Sequence, residues 1–246
     1  GTLALLEAVR GPSGFRRFLQ VSTDEVYGSV DAGRTTERWP TRPSSPYAAS
    51  KAAADAFVQA YAVTHGVPAV ITRCSNNYGP YQFPEKLIPL FVTNALENQP
   101  LPLYGDGKNV RDWIHVEDHV DALWHVLGLP DATGRVFNVS AENEVPNRTV
   151  TDTILRLLDR PASLVRYVAD RPGHDRRYAL DASALRATGW RPRRTFPDGL
   201  AATIAWYREH RTWWEAIKSG DYRDYYDRMY RDRLEGGAAA PGGARA

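Results

Sequence analysis

Cysteine and methionine are almost missing from this 246-residue chain, which has one of each, and no stretch of one charge sign stands out. A lone thiol, Cys74, excludes an internal disulfide framework and suits a reducing cytoplasm. No apolar run approaches the roughly 20 residues that span a bilayer, so no membrane partner is expected. Lys and Arg number 31 against 29 Asp and Glu, a formal net charge of +2. Without a basic run or an aromatic-basic ladder, no nucleic-acid partner is expected either. Also missing is any G-x-G-x-x-G turn, the pyrophosphate loop of dinucleotide-binding domains. Gly1 to Arg10 reads as the latter part of an amphipathic helix and the first residue is not Met. The chain is therefore expected to be an internal fragment of a longer protein. Its apolar fraction of 43% is ample for a packed core.

What is present reads as an α/β chain. Arg16 to Ser22 is a short apolar strand, followed from Gly28 to Pro46 by a loop rich in Gly, Thr, Pro and Ser. Ser44 or Ser45 caps a helix with Pro46 in its first turn, and Ala-rich sequence carries the helix to about Thr64, where Gly66 and Pro68 end it. Ala69 to Arg73 has the unbroken apolar character of a strand buried on both faces. Strand, helix, strand in that order implies a parallel sheet. After Tyr78-Gly79-Pro80 the text turns to Pro-punctuated helix and loop, including a helix over 87–97 and a turn at 104–107. Helical periodicity resumes at Ile114 to Leu127, Arg135 to Val139 is another strand, and 213–234 reads as a terminal helical arm with an aromatic packing stripe at Trp214, Ile217, Tyr222, Tyr225, Tyr226 and Tyr230.

Chemistry concentrates at two places. Tyr47 and Lys51 stand four apart on the first long helix, so they share a face. A nearby ammonium favours phenolate and makes the tyrosine a usable base for a hydroxyl, although this spacing also occurs on solvated helices. Ser22-Thr23-Asp24-Glu25 follows the first strand, where open α/β sheets bind their ligands. Adjacent carboxyls in unlike surroundings can serve one as acid and one as base. Alternatively, Asp24 caps a turn and Glu25 is solvated. His115 and His119 are spaced like zinc ligands, but no third ligand is evident and no metal is expected. Cys74 reads as a packed core thiol.

Several long motifs then occur in order: Ser22-Thr23-Asp24-Glu25-Val26-Tyr27-Gly28-Ser29, Ser45-Pro46-Tyr47-Ala48-Ala49-Ser50-Lys51, Arg73-Cys74-Ser75-Asn76-Asn77-Tyr78-Gly79-Pro80, Phe83-Pro84-Glu85-Lys86-Leu87, Asn109-Val110-Arg111-Asp112-Trp113 and Arg171-Pro172-Gly173-His174-Asp175-Arg176-Arg177-Tyr178. On these the chain resembles the extended short-chain dehydrogenase/reductase superfamily and, within it, the dTDP-glucose 4,6-dehydratase family. The resemblance implies a Rossmann-like doubly wound parallel sheet lacking its N-terminal strands, with a smaller α+β substrate-binding domain. Residues 1–80 and 111–143 would be the remainder of the NAD-binding domain, 81–110 and 144–234 the nucleotide-sugar domain, and 235–246 a disordered tail.

The resemblance further implies NAD as cofactor and dTDP-glucose as substrate, with loss of water giving a 4-keto-6-deoxy sugar. Thr23, Asp24, Glu25, Tyr47 and Lys51 would be catalytic. Ser22, Tyr47, Lys51 and Asn77 would hold NAD. Thr23, Asn76, Lys86, Leu87, Pro102, Tyr104, Arg111, Asn147, Arg171, His174 and Tyr178 would hold the substrate. A homodimer is implied, built from the helix ending near Arg10 and the one containing Tyr47. Other enzymes of the superfamily remain open (GDP-mannose dehydratase, UDP-glucose 4-epimerase, UDP-glucuronate decarboxylase), as does a non-catalytic binding remnant. The fragment alone is expected to bind NAD poorly and to be inactive.

Overall fold

The computed structural model describes residues 1–11, 14–171 and 173–235; the expected tail from 236 onward lies outside them. Its strands are β1 (Phe18–Thr23), β2 (Ala69–Cys74), β3 (Asn76–Tyr78), β4 (Leu101–Tyr104), β5 (Val110–His115), β6 (Val136–Val139), β7 (Glu144–Pro146) and β8 (Val165–Val168). Its helices are α1 (Thr2–Val9), α2 (Pro46–His65), α3 (Leu87–Leu96), α4 (Val116–Gly128), α5 (Asn147–Leu157), α6 (Ser183–Arg186), α7 (Phe196–Glu209), α8 (Arg211–Lys218) and α9 (Asp221–Glu235). The chain divides into two compact units, one of Gly1–Asn77, Arg111–Glu144 and Asp175–Arg194, the other of Tyr78–Val110, Val145–His174 and Thr195–Ala246.

The first unit is built on a parallel sheet in the order β1-β2-β6. Phe18 pairs with Ala69 and Thr23 with Cys74, while Ile71 pairs with Val136 and Cys74 with Val139, so β1, β2 and β6 end together. One face carries Leu6, Val58, Val67 and Ile71; the other carries Val70, Ile114, Val126, Phe137 and Trp190. Ser45 caps α2 by accepting a hydrogen bond from the Ala48 N–H at 3.1 Å, Pro46 opens the first turn, and Gly66 in the left-handed region ends the helix. A buried ion pair, Arg73 Nε to Asp55 Oδ2 at 2.9 Å, fastens α2 to β2. The same guanidinium lies over the Tyr27 ring, 4.8 Å from its centre, and the Tyr27 hydroxyl donates to Asn138 Oδ1 at 2.8 Å. These contacts seat the turn after β1 and the start of α2 against one sheet.

The loop expected over 28–46 is held at several points. The Val30 and Thr35 N–H groups donate to the Arg177 and Ala179 carbonyls, and Asp181 N–H returns a bond to Thr35. Arg34, Arg177 and Arg186 share the carboxylates of Glu142 and Glu144. Ile114 and His115, expected in a helix, belong to strand β5; the run Trp113-Ile114-His115 is buried, and α4 begins only at Val116, where His115 Nδ1 accepts from the Glu117 N–H. Arg17 closes the far end of α4 on the Val126, Leu127 and Leu129 carbonyls.

In the second unit, β4 and β8 pair in parallel, Leu101 with Val165 and Tyr104 with Val168. Helix α3 is buried from Ile88 to Ala95. Tyr78 packs edge-on against Phe196, and its hydroxyl occupies the space a Cβ at Gly199 would need, so α7 requires glycine there. The expected terminal arm is two helices, broken at Ser219-Gly220 where Gly220 takes a positive φ. Of the aromatic stripe, Trp214 is fully buried and donates to the Tyr207 carbonyl, Tyr226 accepts from Asn94 Nδ2, and Tyr230 is buried. The side chains of Tyr222 and Tyr225 lie outside the described residues.

Candidate active site

Strand β1 ends by burying Ser22 and Thr23, and Thr23 then caps a single 3-10 turn, Asp24 to Tyr27, by accepting from the Glu25 N–H at 3.3 Å. Gly28 closes that turn at φ 74°, and a Cβ on it would lie 2.5 Å from the Arg42 carbonyl oxygen. Only glycine meets both demands. The turn sends neighbouring carboxyls into unlike surroundings: Asp24 is buried, Glu25 partly open.

Asp24 is pushed up to about 8, first by burial, then by the negative charges of Asp112 and Glu25, against the opposing pull of Arg111 and a hydrogen bond from the Thr23 hydroxyl at 3.2 Å. It therefore holds its proton at neutral pH. Its Oδ2 is buried with no hydrogen-bond partner among the described residues. Asp112, not singled out in the sequence, is itself fully buried and raised to about 6 by burial, although the Ser140 hydroxyl and the Asn143 N–H donate to it. An acid beside an arginine within an otherwise apolar strand was the available signal.

Tyr47 stands in the first turn of α2, half exposed, and Lys51 follows one turn later. The phenol is raised, chiefly by burial and by the charges of Glu25, Cys74 and Asp24, with the Thr23 hydroxyl pulling the other way. The lysine was expected to lower it. Instead the Lys51 ammonium donates to the Val21 carbonyl at 2.6 Å, so its charge is anchored on the strand while burial, followed by the acids after β1, raises the phenol. Thr23, Asp24, Glu25 and Tyr47 nonetheless form one electrostatic neighbourhood.

Asn76 and Asn77 follow directly from β2. Asn76 Oδ1 is buried without a partner among the described residues. Asn77 Nδ2 donates to the Ser75 carbonyl at 3.2 Å, and its Oδ1 meets His119 Nδ1 at 2.8 Å. His119, weighed in the sequence as a metal ligand, thus orients an amide; burial holds it down near 4, so it is neutral. Cys74 Sγ donates to the Ser22 carbonyl, and burial pushes the thiol up to about 12, which makes it inert. Arg111 is buried, donates to the Asp175 carbonyl at 2.9 Å and lies over the Tyr178 ring, 4.5 Å from its centre. Asp175, the acceptor for the Tyr178 and Ser44 hydroxyls, was also missed; the bond it accepts helps burial raise Tyr178, with Glu25 adding to the rise.

The other expected substrate residues belong to the second unit. Pro102 is buried in β4 and Tyr104 ends that strand. The Arg171 guanidinium lies 5.3 Å from the Tyr104 ring centre and the His174 ring 6.1 Å. His174 Nδ1 meets Asp170 Oδ1 at 2.5 Å. Asn147 opens α5, its N–H donating to the Asn109 carbonyl, with its Oδ1 buried and unpartnered among the described residues. Lys86 is exposed and paired with Glu85 at the start of α3, where Leu87 is partly buried. Tyr104, Arg171 and His174 are thus brought together, while Lys86 keeps a separate ion pair.

A family model described as GDP-mannose 4,6 dehydratase matches residues 1–203. A dTDP-glucose 4,6-dehydratase from an Actinoplanes species is 53% identical over 216 residues, covering 87% of this chain and 67% of that one. The crystal structure of DesIV, a dTDP-glucose 4,6-dehydratase from Streptomyces venezuelae solved with NAD bound, matches at TM-score 0.86 and 51% identity over 88% of this chain and 67% of that one. The UDP-glucose 4-epimerase of Thermus thermophilus, also solved with NAD, matches at TM-score 0.79 but 32% identity, covering 85% and 69%. The chain spans about two thirds of the length of these relatives. With this fold, this turn after β1 and these likenesses, the chain belongs to the GDP-mannose 4,6 dehydratase family and, within it, to the dTDP-glucose 4,6-dehydratases.

Proposed function

We propose that this chain carries out the NAD-dependent removal of water from dTDP-glucose to give a 4-keto-6-deoxy sugar. The observation that carries the reading is the pair Asp24 and Glu25, neighbours in sequence but set in unlike surroundings, so that one is an acid at neutral pH. Elimination needs such an acid and a base; epimerisation needs neither.

NAD, when bound, would supply the hydride acceptor and donor that joins carbon 4 and carbon 6 of the sugar. The residues suit that cofactor: the Lys51 ammonium has three donors, one of which goes to the Val21 carbonyl, leaving others for a ribose. Lys51, Ser22 and Asn77 would hold it beside Tyr47. The protons belong to the chain. As the phenolate, Tyr47 would take the proton of the carbon 4 hydroxyl, which Thr23 would also hold; burial and then the neighbouring acids raise the phenol, so forming that phenolate requires positive charge beside it, which Lys51, one turn along α2, would supply. The carbon 4 ketone acidifies the proton on carbon 5; Glu25 would remove it and give it back to carbon 5 when hydride reaches carbon 6. Asp24 gives its proton to the departing carbon 6 hydroxyl, which leaves as water. Its raised affinity for a proton equips it for that step.

In the second unit, Tyr104, Arg171, His174 and Asn147 supply the aromatic surface, cation and amide suited to a nucleoside diphosphate, with Lys86, Leu87 and Pro102 as further contacts; taken by itself, the first unit offers Arg111, Asn76 and Tyr178 to a phosphate or sugar. Incubating the enzyme with NAD and dTDP-glucose should yield the 4-keto sugar. No keto product, or product only from another nucleotide sugar, would refute the reading.

The proposal extends to a cytoplasmic homodimer. No helix among the described residues is long and apolar enough to cross a membrane. The contacting helices α1 and α2 leave Leu3, Leu5, Phe57 and Val63 exposed, which supports pairing with a second copy. Sedimentation at a single-copy mass would contradict the dimer.

A further inference from the structure

The geometry points to Arg233, on the C-terminal helix α9, as a second guanidinium of the nucleotide-diphosphate site, one that positions Tyr104 and adds positive charge for the ligand. The inference rests on the reading of Tyr104 and Arg171 as nucleotide contacts. Arg233 Nη1 donates to the Tyr104 hydroxyl at 3.1 Å and to the Met229 carbonyl at 2.9 Å, and its guanidinium carbon lies 5.6 Å from the Tyr104 ring centre. Arg171 approaches the same ring at 5.3 Å. Tyr230, one turn before Arg233 on α9, packs its ring 6.2 Å from that of Tyr104, so helix and tyrosine are joined by an apolar contact as well as a polar one.

Several of the chain's arginines are held in ion pairs. Arg34, Arg73, Arg148, Arg177, Arg194 and Arg211 each meet a carboxylate. Neither the Arg171 nor the Arg233 guanidinium meets one among the described residues, and both converge on one aromatic ring; the nearby Asp170 carboxylate is taken by the Arg171 N–H and by His174. Two guanidinium groups over one ring repel each other; an anion relieves that repulsion, and a guanidinium offers paired donors to phosphate oxygens. Among the described residues Arg233 directs only Nη1 to hydrogen-bond partners, which leaves Nε and Nη2 to donate to such a ligand. Because its Nη1 also fixes the Tyr104 hydroxyl, the ring that would lie against the base is held in place before the ligand arrives, which lowers the ordering cost of binding.

Titration calorimetry with dTDP on the purified enzyme tests this without turnover. Arg233→Met keeps the apolar stem and removes the charge and the fork. It should weaken dTDP binding about tenfold, raise KM for dTDP-glucose by a similar factor, and lower kcat less than twofold. Tyr104→Phe, which deletes only the hydroxyl that Arg233 holds, should weaken dTDP binding about threefold, and the two substitutions together should cost less than the product of the two. A role confined to packing α9 would instead show as a lower melting temperature with dTDP affinity kept. If Arg233→Met binds dTDP as the parent does while Arg171→Met does not, Arg233 lies outside the site and this inference fails alone. If neither arginine affects dTDP binding, the assignment of the nucleotide to Tyr104 and Arg171 fails with it.

Discussion

Around Asp24 the chain gathers acids in a dry place, and around Tyr104 it gathers cations in an open one. At the end of β1, Asp24 and Asp112 are both buried, Glu25 stands next to them, and the result is a carboxyl that stays neutral. Beside Tyr104, Arg171 is exposed and Arg233 partly exposed, where solvation makes a charge inexpensive. The first arrangement strains protonation and prepares a proton donor. The second leaves the fold nearly indifferent to the charges, which on the proposed reading serve a ligand. Substitutions should therefore act oppositely in the two places.

The largest effect falls on turnover in the acid cluster. Asp24→Asn cannot give up a proton to the leaving hydroxyl, and kcat for dehydration should drop by about 10²–10⁴, as should that of Glu25→Gln, which loses the base. Product formation under saturating dTDP-glucose measures it; a loss below tenfold would remove Asp24 from the acid role. The parent's kcat should also fall as pH rises through about 8, where Asp24 loses its proton.

Next comes stability, with the opposite sign. Because the folded state raises the Asp24 proton affinity from 3.8 to about 8, its contribution is fully present below pH 4 and is lost as pH climbs toward 8. Asp24→Asn has no such proton to lose. It should match the parent near pH 4 and exceed it by on the order of a few kcal/mol at pH 8 in denaturant melts. Equal stabilities at pH 8 would show that Asp24 is not strained.

Arg171→Met probes the cationic cluster. Stability should move by no more than about 0.5 kcal/mol, while dTDP affinity drops about tenfold, or 1.4 kcal/mol, and becomes less sensitive to salt. A strongly destabilised variant would erase the contrast between the two clusters. The smallest effect concerns the scaffold that presents Tyr47: Ser45→Ala removes the α2 cap and should cost about 1 kcal/mol in thermal or denaturant melts, with turnover less affected than stability.

Much of the fold was legible in the residues themselves. Ser45, Pro46 and Gly66 bound α2 because capping and left-handed backbone are local demands, and the β-branched run at Ala69–Cys74 marked a strand buried on both faces. Ile114 and His115 were misplaced because an apolar stretch next to a helix has no period of its own to separate strand from helix. Legibility in the candidate site followed the same line. Motifs offered Asp24, Glu25, Tyr47 and Lys51, whereas the contacts that define Asp112, Asp175, His119 and Arg233 in the site reach partners 31 to 131 residues away.

The sequence by itself determined which residue types stand at the end of β1, that Tyr47 and Lys51 share a helical face, and which family the motifs resemble, since these depend on order and spacing alone. Only the tertiary structure decided that Asp24 keeps its proton, that Lys51 turns to the Val21 carbonyl and leaves the Tyr47 phenol raised, and that α9 returns a guanidinium to Tyr104. Proton affinity depends on desolvation and on charges brought near through space, and neither exists until the chain is folded.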